Sequence, residues 1–284
     1  MHATLECKNV EIIKTTNRKL RIMSESKKVV LPDGIKVTDS YVTPKLSANA
    51  LFHFMGKEEY LLNKLRDRAI IPRYTLEDVA YLELPKCQRM YYPMVCFCDI
   101  NLHKMNLHCE NYGSYGIAFS KEWGIKNGIQ PINYVNANGD FVNMFRDAFK
   151  EGVSNKETNP LKDFLLESLR YMKPIQGQNI CHEDDKLRNF MDECEWRFLP
   201  HDTEILPAIV ASATRSVESH NEALERDDRY WLKFEYKDIR HIIVPNTESS
   251  FKIMDFLDSL SMNVNERKTL YTKIMVMHDF MEDV

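Results

Sequence analysis

No stretch of this chain reaches 18 consecutive apolar residues; its apolar side chains recur in two rhythms instead. Short runs of strand length stand at 51–54, 93–98, 115–119, 195–199 and 239–244. Between them lie longer segments with apolar residues every three or four positions, the spacing of one helix face. The two rhythms are interleaved without regular alternation. A doubly wound parallel sheet needs such alternation, so the pattern predicts an α+β fold with a mixed β-sheet core flanked by helices.

Composition narrows the function. With 44% apolar and 28% charged residues in 284, the chain has the make-up of a globular protein. Its 38 basic and 42 acidic residues leave a net charge of −4, which gives no overall pull toward nucleic acid or an anionic membrane. The first residues lack the basic head and apolar core of a signal peptide, and no segment is a candidate membrane span. Seven cysteines, an odd number in a chain read as cytoplasmic, are expected to be reduced thiols.

Residues 1–49 are expected to form an N-terminal extension with β-like runs at 10–13 and 28–31, residues 50–246 an α+β core, and residues 247–284 a helical segment. The closing segment is predicted as two helices, 248–260 and 265–281, the first with Phe251, Met254, Leu257 and Leu260 on one apolar face, which is either domain core or, if the helices project, a docking surface. Within the core, helices at 139–150 and 160–172 are expected to bury Phe141, Phe145, Ala148 and Phe149, and Leu161, Phe164, Leu165, Leu169 and Met172. Residues 230–236 alternate as a strand with Tyr230, Leu232, Phe234 and Tyr236 inward. Ser120 is placed to cap a short helix, and 173–192 read as a polar loop.

Three dense segments carry the candidate chemistry. Leu51-Phe52-His53-Phe54 sets an imidazole among aromatic rings. Residues 112–121 crowd glycines and tyrosines ahead of a strand. Glu193-Cys194-Glu195-Trp196-Arg197-Phe198 places a carboxylate on an otherwise apolar strand. Burying Glu195 is costly without a partner, and Arg197, two residues on, shares its face. This is either an ordinary structural pair or a catalytic carboxylate. Cys96, Cys98, His103, His108 and Cys109 cluster, but their spacing fits no common zinc knuckle, so no metal is expected and the thiols are read as buried. His182-Glu183-Asp184-Asp185 is read as a solvated acidic loop.

Residues 93–100, Pro-Met-Val-Cys-Phe-Cys-Asp-Ile, followed by Tyr112-Gly113-Ser114-Tyr115-Gly116-Ile117-Ala118-Phe119-Ser120-Lys121-Glu122-Trp123-Gly124-Ile125, resemble the AbiGi family of bacterial abortive-infection proteins, described as antitoxins. The resemblance extends through Pro72-Arg73-Tyr74 and Glu195-Trp196-Arg197, from Leu51 to about Val244. A more distant resemblance is to the mono-ADP-ribosyltransferase fold, through the order strand histidine, aromatic strand, late strand glutamate. It implies His53 as a ribose-binding residue and Glu195 as the catalytic carboxylate, with NAD as co-substrate. Ala118 stands where the stacking tyrosine of that fold is expected, so Phe97, Tyr115 or Phe119 would supply the ring.

Two functions follow from these likenesses. One is a phage-defence enzyme that transfers ADP-ribose from NAD to a protein or nucleic acid. The other is a non-catalytic antitoxin that restrains a neighbouring-gene toxin. The enzyme reading expects His53, Glu195 and one aromatic ring to meet across a single cleft.

Overall fold

A computed structural model of the chain describes residues 41–154, 160–178, 187–200 and 208–282. The expected extension to residue 40 and the acidic loop at 182–185 lie outside the described residues.

The core opens with β1 (Ala50–Met55), α1 (Glu58–Asp67), β2 (Ala69–Ile70), β3 (Arg73–Asp78) and β4 (Arg89–Cys98). Next come α2 (Asn106–Tyr112), β5 (Tyr115–Ser120), α3 (Lys121–Lys126), β6 (Gln130–Pro131) and β7 (Asn133–Val135). A helical hairpin, α4 (Asp140–Ser154) and α5 (Pro160–Arg170), leads to β8 (Met172–Pro174), β9 (Gln176–Gln178), β10 (Leu187–Asn189), β11 (Glu195–Phe198) and β12 (Ile209–Val210). The chain closes with α6 (Glu218–Arg226), β13 (Leu232–Lys233), β14 (Ile239–Val244), α7 (Thr247–Ser259), α8 (Val264–Tyr271), β15 (Ile274–Val276) and α9 (Met277–Glu282).

The central sheet runs β15-β14-β5-β1-β4-β11-β6, with β3 and β12 also paired to the long β4. Its ladders are antiparallel apart from β14–β15, so the sheet is mixed and the α+β expectation stands. One face packs Leu51, Phe97, Ile117 and Phe119 against Leu61 and Leu65 of α1, Trp123 of α3, and Ile253 and Leu257 of α7. The other face carries Phe52, Cys98 and Ala118 against Met105, just before α2. Farther along β4, Tyr92 and Met94 join a second apolar cluster with Val142 and Phe145 of α4 and Leu165 and Leu169 of α5. The Ser120 cap forms as expected, its hydroxyl accepting from the Trp123 amide at 3.1 Å.

Four local expectations are corrected. The predicted helix 265–281 breaks into α8, β15 and α9, because Ile274–Val276 runs parallel to β14 and pairs with it at the sheet edge. The C-terminal segment therefore shares the core sheet. The polar 173–192 region contains three strands, two of which pair with each other. The predicted strand at 230–236 is mostly tight helical turns around β13, yet its inward residues Tyr230, Leu232, Phe234 and Tyr236 are all buried. The faces of α4, α5 and α7 are rotated from the predicted stripes: Phe141 is 59% exposed, Phe164 66% and Phe251 59%.

Candidate functional site

Directly opposed residues of an antiparallel ladder share a face, so the register settles which side chains meet. Phe52 opposes Cys98, and Cys98 opposes Glu195, which puts all three on the α2 side of the sheet. Glu195 and Arg197 are two apart on β11, and their side chains meet as the sequence predicts. Arg197 Nε donates to one Glu195 oxygen at 2.6 Å and its Nη2 to the other at 3.2 Å. Arg197 is fully buried; it also reaches Glu77 on β3 at 3.1 Å and donates to the Arg170 carbonyl at 2.7 Å.

Lys173, on β8, completes the centre. Its ammonium donates to Glu193 at 2.6 Å and Glu195 at 3.1 Å, and lies 4.6 Å from the centroid of the Phe190 ring. Glu193 accepts a further bond from the Tyr112 hydroxyl at 2.7 Å, and the Tyr134 hydroxyl accepts from the Glu195 amide. Burial by itself would raise the Glu195 pKa, but Arg197 and Lys173 outweigh it and hold the carboxyl well below the usual range. Burial opposes the charge on Lys173 as well; Glu195, Glu77 and Glu193 overcome it and raise the Lys173 pKa well above normal.

Glu77, Lys173, Glu193 and Glu195 line a cavity of ≈ 340 Å³. Its wall includes Phe54, His108 and Tyr112, whose rings form a ladder with centroid spacings of 5.6 and 4.5 Å. Burial brings the His108 pKa down to about 4, so this imidazole is neutral near pH 7.

The predicted site residues divide. His53, Phe97 and Glu195 all border this cavity. However, His53 follows Phe52 and projects to the opposite face of the sheet from Glu195, as does Phe97. The expectation that His53 faces Glu195 across one cleft is corrected to this extent. β1 and β4 share a single pair, Phe52 with Cys98, and the His53 ring sits where they part. Its Nδ1–H donates to the Cys96 carbonyl at 2.8 Å, and its ring centroid lies 5.6 Å from that of Phe97. Burial, with a smaller push from Lys64, lowers the His53 pKa to about 3, so the ring is neutral with Nε2 unprotonated. On the Glu195 face, the imidazole that lines the cavity is His108.

Tyr115 and Phe119 do not line the cavity. The Tyr115 hydroxyl meets Glu58 at 3.3 Å and Ser249 at 3.2 Å on the far side of the sheet. Phe119 is stacked on Trp123 inside the core, with ring centroids 4.2 Å apart. Neither ring reaches Glu195. Sequence reading missed Lys173, Glu77, Tyr112 and the facing role of His108. Lys173 stands in a segment with no periodicity to mark it, whereas Tyr112 and Glu193 already lay in the dense segments.

Among the described residues, no three histidine, cysteine or acidic side chains converge as a metal set. Cys96 and Cys98 share the Glu195 face, and burial raises both thiol pKa values well above normal. No helix among the described residues is long and apolar enough to cross a membrane.

Comparison with known proteins places this architecture. A family model described as "Putative abortive phage resistance protein AbiGi, antitoxin" matches residues 68–245, a span that holds β3, β4, β11, Lys173 and most of the cavity wall. The chain is also 31% identical over 247 residues to the abortive phage resistance protein AbiGi of Lactococcus lactis subsp. cremoris, covering 76% of this chain and 99% of that one. The chain belongs to the AbiGi family of abortive phage resistance proteins. No solved structure gives a significant match, so the mixed-sheet α+β description stands without an ADP-ribosyltransferase counterpart.

Proposed function

We propose that this chain acts in abortive phage defence as an antitoxin that binds and restrains a toxin encoded beside it. The observation that carries the reading is the engagement of Glu195 by two cations of the fold. A carboxylate offers about four acceptor sites. Arg197 fills two and Lys173 a third. A carboxylate so occupied organises the fold through two buried cations and keeps at most one acceptor site for a substrate hydroxyl. The antitoxin description of the matching family points the same way. Co-expression tests it: the chain should restore growth to cells making the neighbouring gene's product and co-purify with that product. Failure of both rescue and complex formation would overturn the reading.

One observation favours the enzyme reading: His53, Phe97 and Glu195 border a single cavity. In that reading Glu195 would stabilise the positive charge that builds on ribose as a glycosidic bond to NAD breaks. The described cavity wall suits NAD poorly, because four carboxylates there (Glu77, Asp78, Glu193 and Glu195) would face a ligand carrying two phosphates. Incubation of the wild-type chain with labelled NAD and cell lysate decides the matter. Label fixed to a macromolecule establishes transfer, and its absence retires the enzyme reading.

A further inference from the structure

The cavity beside Glu195 has chemistry that the ion-pair centre does not use. Its ring ladder, Phe54–His108–Tyr112, packed edge-on and then tilted, lines the space, and flat heteroaromatic ligands pack against aromatic rings. A space of a few hundred cubic ångströms with a mostly apolar wall and a few polar groups is the usual form of a small-molecule site. The lining also includes Tyr81, whose hydroxyl is buried without a hydrogen-bond partner. Buried polar atoms are nearly always satisfied, so an orphan hydroxyl on a cavity wall marks a place for a ligand's polar edge.

Charge selects among ligands. Glu77, Asp78, Glu193 and Glu195 line the space, opposed by Lys173 in the wall and by Arg197 behind it. Both cations are already committed to those carboxylates, so neither is available to hold a phosphate. Among the described residues the excess of charge is negative, and it repels anions.

From the meeting of the ring ladder, the orphan Tyr81 hydroxyl and the acidic wall, we infer that this cavity binds a planar, phosphate-free heteroaromatic molecule of nucleoside size. This site is independent of the antitoxin reading: it holds whether or not a toxin binds elsewhere on the molecule. Isothermal titration of the full chain with adenosine, guanosine, cytidine and uridine, and with their 5′-monophosphates, tests it. At least one nucleoside should bind with Kd below about 1 mM, an affinity within reach of a ligand this small. Its monophosphate should bind at least about tenfold more weakly. Tyr81→Phe should weaken the nucleoside about fivefold or more while leaving the melting temperature unchanged, since the hydroxyl has no protein partner to lose. Absence of binding by all four nucleosides overturns the inference. So does a tighter monophosphate, which would support the NAD reading, and so does a Tyr81→Phe chain that binds as well as wild type.

Discussion

At the scale of single residues, the Glu195–Arg197–Lys173 centre is a buried ionic device. A fully buried guanidinium is tolerated only because two carboxylates and a main-chain carbonyl take its donors. Arg197→Met leaves Glu77 and Glu195 short of a counter-charge and should cost about 3–5 kcal/mol. Urea unfolding checks this as a fall in midpoint at unchanged slope; a loss below about 1 kcal/mol would show that the network adjusts without it. The buried groups also set the acid response. His53 and His108 have folded pKa values of about 3 and about 4, below the usual histidine value, so the unfolded chain binds protons that the folded chain refuses. Their contribution to stability is complete above about pH 6.5 and is lost progressively as pH falls toward the folded values. Glu195, whose pKa is depressed, adds a loss of the same sign below about pH 4.3. His53→Gln should therefore flatten the fall in unfolding free energy between pH 6.5 and 4, measured by urea titration at each pH. The Glu195–Arg197 pair was legible because alternation along a strand puts i and i+2 on one face. Lys173 was not, since only the path of the chain after α5 brings it there.

At the scale of elements, the strands at 51–54, 93–98, 115–119, 195–199 and 239–244 were readable because short apolar runs carry their own period. Helix faces were less so. On α4 and α5 the apolar residues outnumber what one face can bury, and the neighbouring sheet and hairpin decide which go inside. Phe145 packs with Val142, Leu165 and Leu169, while Phe141 and Phe164 point outward. Phe145→Ala should cost about 3–5 kcal/mol, whereas Phe141→Ser and Phe164→Ser should each stay within about 0.5 kcal/mol. Thermal unfolding of the three variants separates this arrangement from the predicted stripe. The turn from α2 into β5 depends on Gly113, whose φ of 100° lies where L side chains are strained and whose added Cβ would strike the Met55 carbonyl. Gly113→Ala should destabilise by about 2 kcal/mol or more in the same assay.

At the scale of the whole molecule, residues 42–284 form one compact unit. The C-terminal segment belongs to it through β15, which covers the edge of β14 with a parallel ladder. Removing residues 273–284 bares that edge, and the truncated chain should aggregate at concentrations where the full chain stays monodisperse in light scattering. A truncated chain that remained monodisperse and unfolded at the same urea midpoint would show that β15 is dispensable. The sequence alone determined the α+β class, the positions of the main strands, the Ser120 cap and the shared face of Glu195 and Arg197, because each rests on local geometry with a period of two or 3.6 residues. Only the tertiary structure decided that His53 and Glu195 point to opposite faces, that His108, Tyr112 and Lys173 line one cavity with the carboxylate, and that a strand hides in the last predicted helix. Those outcomes depend on register between distant strands and on edges left open for pairing, and no local period encodes either.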